Sequence, residues 1–302
     1  MNLFSPKEVS QLLKRYEIHP KKSLGQNFLV DGNIIQKIIA AAELKEQDIV
    51  LEIGPGLGTL TRDMSFYVNE IFAIELDQRM IDILQETVGS CDNVNIIHND
   101  ALKLDYQELI SDFIEFSPAQ LQCKSKQINP KNLKAVSNLP YYIASPLVLK
   151  LAKEKVPLSV MVLMVQREVA DRFTASPGSK NYGAVTVLLD CFYEVEGVFN
   201  VPKTVFYPQP RVESQVVKLT KRSEAKINDD YQEDFIKFVN QAFNSRRKTL
   251  VNNILSIFTG EKSELSQILE NNGFSAGIRG EQLTVDEFAQ IFKIIYNRIK
   301  YS

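Results

Sequence analysis

The chain has 302 residues, 44% hydrophobic and 24% charged, with a formal net charge of -2. That length and composition support a large buried core with a smaller second domain and exclude wholesale disorder. The longest apolar run, 157–165, is too short to cross a bilayer, and the N-terminus lacks a basic-then-apolar signal layout, so a cytoplasmic protein is expected.

Cys91, Cys123 and Cys191 are odd in number, widely spaced and without a paired motif, which points to neither a disulfide framework nor a zinc site. His19 and His98 have no carboxylate or thiol at ligand spacing, and ordinary surface or core roles are expected for them, with no metal. A net charge near zero does not advertise a nucleic-acid binder, but its distribution is uneven. Residues 31–130 hold 7 basic against 17 acidic side chains, which leaves the rest of the chain net basic and able to build a positive face against phosphate.

In chain order, residues 1–30 form a basic leader whose Val9, Leu12, Leu13 and Tyr16 have the spacing of a short amphipathic helix. Short β-rich runs follow at 49–53, 70–75, 94–98, 135–138 and 160–165. The segments 33–42, 59–67 and 79–88 have helical apolar spacing. Strand and helix in alternation predict a parallel sheet with helices on both faces. After Val165 the rhythm changes: 167–173 and 184–192 read as helices, and 195–199 and 214–219 as strands close enough to make an antiparallel edge. The polar stretch KRSEAKINDD marks a linker, and helical spacing returns at 231–243, 248–257, 264–271 and 285–299. The division expected is a leader at 1–30, an α/β domain at 31–220 and a small all-helical domain at 221–302. The polar, basic stretch 117–132 reads as a surface insertion.

Three motifs carry chemistry. Glu52-Ile53-Gly54-Pro55-Gly56-Leu57-Gly58-Thr59 is a strand that ends in a glycine turn and opens a helix, at the edge where open α/β sheets bind ligands. A dinucleotide fingerprint wants its third glycine at the sixth position, where Thr59 stands. The E-x-G-x-G-x-G pattern instead resembles motif I of S-adenosylmethionine methyltransferases. Glu75, at the end of the next strand, is placed to take both hydroxyls of a ribose. Asp100, after the third, is placed either to bond an adenine amine or to cap a helix from Ala101 onward.

The third motif is Asn138-Leu139-Pro140-Tyr141-Tyr142. An adenine amine is a poor nucleophile because its lone pair is delocalised into the ring. Acceptors aimed at its hydrogens, the Asn138 side-chain oxygen and the Leu139 carbonyl, turn that lone pair toward an electrophilic methyl group and stabilise the charge that develops. Pro140 fixes the backbone and favours an extended Leu139, while Tyr141 is placed to stack on a base swung out of its helix. Methylation of nitrogen needs alignment more than a strong general base, because the methylated ammonium loses its proton readily.

Together with these motifs, nearly the whole chain resembles the ribosomal RNA adenine dimethyltransferases, which modify two adjacent adenosines near the 3′ end of small-subunit RNA. The resemblance runs through Lys22-Ser23-Leu24-Gly25-Gln26-Asn27-Phe28-Leu29, Val165-Gln166-Arg167-Glu168-Val169-Ala170 and Pro177-Gly178-Ser179-Lys180-Asn181-Tyr182-Gly183. It continues through Phe206-Tyr207-Pro208-Gln209-Pro210-Arg211-Val212-Glu213-Ser214 and Arg246-Arg247-Lys248-Thr249-Leu250. It implies a Rossmann-like S-adenosylmethionine methyltransferase sheet, parallel with an antiparallel edge strand, plus a helical RNA-binding domain. By the same resemblance Asn27 and Leu29 close over S-adenosylmethionine, Gly54 meets its methionine part, Glu75 its ribose and Asp100 its adenine, Gly56 also belongs to the cofactor site, and Asn138 lies between cofactor and target amine. Arg172 and Lys180, expected near the active-site mouth, and Arg246, Arg247 and Lys248 on the helical domain become candidate phosphate contacts. The implied partner is small-subunit RNA in an immature particle, met by a monomer. Two rivals stand beside this reading: a large-subunit adenine methyltransferase of the macrolide-resistance type, and a non-catalytic ribosome-assembly factor on the same fold. A dinucleotide oxidoreductase is the distant third.

Overall fold

The structure is a computed structural model that describes residues 2–18, 27–116 and 132–299. His19, Lys22 to Gln26, Cys123 and nearly all of the expected insertion lie outside the described residues. In chain order the described regular elements are α1 (Pro6–Arg15), β1 (Phe28–Leu29), α2 (Gly32–Ala42), β2 (Ile49–Ile53), α3 (Thr59–Met64), β3 (Glu70–Glu75), α4 (Gln78–Thr87), β4 (Val94–His98), α5 (Tyr106–Phe116), β5 (Leu133–Asn138), α6 (Ala144–Lys153), β6 (Val160–Gln166), α7 (Arg167–Phe173), α8 (Ala184–Phe192), β7 (Tyr193–Val201), β8 (Phe206–Tyr207), β9 (Ser214–Lys221), α9 (Gln232–Ala242), α10 (Leu250–Ile254), α11 (Lys262–Asn271) and α12 (Val285–Ile295). Among the described residues no helix is long and apolar enough to cross a membrane.

Seven strands form one sheet in the order β4-β3-β2-β5-β6-β9-β7, parallel from β4 to β6 and antiparallel where β9 joins β6. All five residues of β2 are buried, as a strand covered by helices on both faces requires. On one face lies α2, whose Ile34, Ile35, Ile38, Ile39 and Ala42 recur at helical spacing and pack with Val50, Val136 and Val162 of the sheet. Asp31 starts this helix by accepting from the Ile34 N–H at 3.1 Å.

β2, β3 and β4 occupy the residues that their periodicity predicts, and β5 starts two residues earlier than expected. α3 ends at Met64, short of the expected 67, and α10 is shorter than the expected 248–257. α5 and α6 went unanticipated. Pro146 falls in the first turn of α6, where a missing N–H costs nothing. Also unanticipated is a two-stranded pair of β1 with β8, with Phe28 opposite Tyr207 and Leu29 opposite Phe206. The alternation of a strand sends Phe28 into a cluster with Leu12, Leu57 and Met80, and Leu29 into the α2 cluster.

The chain forms two compact units, Met1–Ala170 with Glu196–Lys221, and Asp171–Val195 with Arg222–Ser302. The first ends one residue past the expected boundary at 220, but segment 171–195, expected within the α/β domain, belongs to the second unit. The reason is α8: its Val187, Leu188, Leu189 and Cys191 are buried, and it packs against α9 and α12 of that unit. The second unit's core is aromatic, with Phe235, Phe238, Phe288 and Phe292 in edge or tilted contact at 5.3–6.3 Å between ring centres.

One buried cation pins the sheet to α2. Lys134, near the start of β5, donates to the carbonyls of Ala42 at 3.0 Å and Glu43 at 2.7 Å and pairs with buried Asp48 at 2.8 Å. Lys134→Met leaves Asp48 and both carbonyls without this donor. Chemical denaturation is expected to show a loss of about 3–5 kcal/mol, against under about 1 kcal/mol for Arg298→Ala, whose pair with Glu264 is exposed. Equal losses in the two variants would show that burial does not set the strength of the Lys134 pair.

Candidate active site

The carboxyl ends of β2, β3, β4 and β5 open on a single cavity of about 1060 Å³ in the first unit, mouth included. Asn27, Leu29, Gly54, Gly56, Glu75, Asp100, Asn138, Leu139, Pro140 and Tyr141 all line it. Motifs separated by more than a hundred residues in sequence therefore share one wall.

The glycine turn after β2 explains how they meet. Gly54, Gly56 and Gly58 have φ of +68°, +58° and +77°, in the left-handed region that favours glycine. At Gly54 a Cβ atom would also come within 3.0 Å of the Pro140 ring, so the missing side chain lets the two motifs touch. The buried Ser137 hydroxyl secures the same junction by accepting from the Ile53 N–H at 2.9 Å. The Gly54 N–H in turn donates to the Ile74 carbonyl at 2.9 Å.

Glu75 is buried and held by backbone. One carboxylate oxygen accepts from the N–H groups of Leu76 and Asp77 at 2.8 and 2.9 Å, and the other from Gly56 at 3.4 Å. Burial raises its pKa, and these N–H groups oppose the rise. Asp100 accepts from the Leu102 N–H at 2.9 Å and so caps a turn. Of the two roles open to it, the helix cap from Ala101 onward is corrected: 101–103 is a turn, and the next helix starts at Tyr106 after Asp105, which accepts from the Gln107 and Glu108 N–H groups.

At the end of β5, the Asn138 amide nitrogen donates to the Asn27 carbonyl at 3.5 Å. Leu139 is buried and donates its N–H to the Met164 carbonyl at 3.1 Å. Tyr141 is partly buried, and burial raises its pKa against the opposing Ser214 hydroxyl. Tyr142 is half exposed, and its pKa is raised by burial and by the negative charges of Asp100 and Glu75.

The cavity also holds residues given no role in the sequence reading, among them Phe28, Leu76, Asn99, Tyr142 and Glu52. Glu52 had a signal, as the first residue of its motif, but its burial depends on the sheet. It is 1% exposed, its Oε2 has no hydrogen-bond partner, and burial pushes its pKa up to about 8, with Thr61 opposing and Glu75 reinforcing. Among the described residues no group of three or more His, Cys, Asp or Glu side chains could hold a metal ion. Arg172, Lys180, Arg246, Arg247 and Lys248 all belong to the second unit and are exposed there.

Glu52 makes stability depend on pH with a definite sign. Its folded pKa lies above the ordinary 4.5, so its contribution is full below that value and is lost as pH rises toward about 8. The unliganded protein is expected to lose stability over that range by an amount on the order of a few kcal/mol, and Glu52→Gln to lose less. Parallel pH profiles from thermal unfolding of the two proteins would rule out this origin.

Against known proteins, residues 18–297 match the family profile described as "Ribosomal RNA adenine dimethylase". A protein from Listeria innocua named "Ribosomal RNA small subunit methyltransferase A" is 42% identical over 295 residues, which is 96% of this chain and 95% of that one. Among solved structures, a dimethyladenosine transferase from Plasmodium falciparum superposes with a TM-score of 0.70 at 25% identity, covering 89% of this chain and 97% of its own. The 23S rRNA methyltransferase ErmE does so with a TM-score of 0.64 at 22% identity, over 89% of this chain and all of that one, a likeness of fold. The Rossmann-like architecture, the junction of the glycine turn with Asn138 to Tyr141 and the full-length match agree, and the chain belongs to the ribosomal RNA adenine dimethylase family.

Proposed function

We propose that the chain uses S-adenosylmethionine to dimethylate the exocyclic amines of two adjacent adenosines near the 3′ end of small-subunit ribosomal RNA, during assembly of the particle in the cytoplasm. The observation that carries this reading is the cavity itself, which Asn138 and Glu75 both line. The name of the Listeria relative, matched along nearly its whole length, supports the small-subunit target over the large-subunit one.

The residues fit the cofactor. The three left-handed glycines keep side chains out of the turn where its methionine part would approach, and Glu75 presents carboxylate oxygen to ribose hydroxyls at a position backed by three N–H groups. Asp100 faces the same space from the end of β4, placed for the adenine amine. S-adenosylmethionine, when bound, supplies an electrophilic methyl group. The protein orients the nucleophile: the Asn138 side-chain oxygen and the Leu139 carbonyl accept from the target amine and direct its lone pair along the line of attack. Tyr141 stacks on the extruded base, and Leu29 with Asn27 covers the cofactor side. Partial burial keeps water from competing for these bonds.

On the second unit, exposed Arg172, Lys180, Arg247 and Lys248 supply phosphate contacts that set the register of the RNA without reading its sequence. The protein acts as a monomer on an immature small-subunit particle.

Radiolabel from S-adenosylmethionine is expected to enter undermethylated small-subunit particles and to appear in dimethyladenosine after nuclease digestion, on two adjacent residues. Label in large-subunit RNA instead would overturn the assignment. Asn138→Ala is expected to lower the rate by about 100-fold or more with cofactor affinity, measured by calorimetry, nearly unchanged. Glu75→Ala is expected to weaken cofactor binding at least about tenfold, as loss of a charge-assisted bidentate contact does. An unchanged rate in the Asn138 variant would refute the orientation role.

A further inference from the structure

Arg246 differs from its neighbours Arg247 and Lys248 in that its guanidinium is already committed inside its own unit. Its Nε pairs with the Glu281 carboxylate, its Nη1 donates to the Lys180 carbonyl, and its Nη2 donates to the Ser179 carbonyl at 2.9 Å. Glu281 grips the same loop a second time, because its backbone carbonyl accepts from the Gly178 N–H at 2.6 Å. Downstream, the buried Tyr182 hydroxyl donates to the Leu283 carbonyl at 2.7 Å. Between these ties Gly178, Lys180 and Asn181 are exposed. Gly178 sits at φ +81°, and a Cβ built on it would meet nothing within 4 Å.

A guanidinium has five N–H donors in a planar fork, and three of its nitrogens are engaged here. Its charge is offset by Glu281, so it attracts a phosphate less than an exposed cation without such a partner. What the fork does accomplish is to join two stretches of chain, 178–180 and 245–248, that both carry exposed cations.

We infer that Arg246 is a positioning residue: together with Glu281 it moors the 178–180 loop so that Lys180 stands beside Arg247 and Lys248 as one cationic surface for RNA phosphates. The inference rests on the RNA-methylating function proposed above. Under it, Lys180 is a phosphate contact only while the loop is held, and Arg246 is felt by RNA only through Lys180.

The test is a double-mutant cycle in the full-length protein, read as affinity for undermethylated small-subunit particles at several salt concentrations, with cofactor affinity as the control for folding. Lys180→Ala and Arg246→Ala are each expected to weaken binding several-fold and to reduce the salt slope by about one contact. The double variant is expected to be no weaker than the worse single one within about twofold. Arg246→Lys, which keeps the charge but not the fork, is expected not to rescue. Glu281→Ala gives opposite signs for the two roles. It frees the Arg246 charge, so a direct phosphate contact predicts tighter binding, whereas mooring predicts weaker binding and faster amide exchange at residues 178–180.

Additive losses in the cycle, rescue by Arg246→Lys or tighter binding by Glu281→Ala would each overturn the mooring role. If Lys180→Ala and Arg247→Ala both leave binding untouched, the cationic surface itself fails and the inference with it. If the wild-type protein does not bind these particles, the failure lies in the proposed function.

Discussion

The contact between the Gly54 backbone and the Pro140 ring is the constraint on which the rest of the site depends. At 3.0 Å from where a side chain would begin, it permits no residue but glycine without displacement, and the Ser137 bond to Ile53 fixes the same junction from the neighbouring strand. Two strand ends are thereby locked at one height. One carries the glycine turn that keeps side chains out of the cavity, and under the proposed reading the other carries the groups that orient an amine. Neither motif would have a geometry worth naming if the strands were free to slide by even one residue, because a slip of one sends every side chain to the opposite face.

Charge is arranged to match. The acidic third of the sequence supplies Glu52, Glu75 and Asp100 to the cavity, and under the proposed reading their field meets a cofactor that carries a sulfonium and an ammonium. The cations lie elsewhere, on the second unit and in other segments of the first. The second unit as a whole is close to neutral, so its exposed Arg247, Lys248 and Lys180 make a local cationic patch and not a basic domain.

Much of the fold is legible in the sequence because the sheet is parallel and buried. β2, β3 and β4 are short apolar runs closed by polar residues, and they occupy the predicted residues. α6 escaped because Pro146 has opposite meanings inside a helix and at its start, and only the fold says which applies. The assignment of 171–195 to the second unit depends on which partner buries the apolar surface of α8, a choice that periodicity does not encode. In the site, the glycine turn and the Asn138 motif announce themselves locally. Asn27 and Leu29 do not, because the pairing that brings them in is with residues near 206, and their roles came from family resemblance alone. Glu52 lay in plain view within its motif, but its state depends on burial between neighbouring strands.

That small β1–β8 pair has a reach beyond its size. Two residues from the leader and two from the connection before β9 make a ladder that carries Asn27, Phe28 and Leu29 into the cavity wall, and the Val30 N–H adds a bond to the Val205 carbonyl at 2.9 Å. Phe206 is itself buried in the α2 cluster, with Val205 packed against it, so the connection at 205–207 is tied to the core as well as to the cavity wall. A substitution at 206 or 207 therefore reaches Asn27 and Leu29 through the ladder, although the two segments lie far apart in the chain.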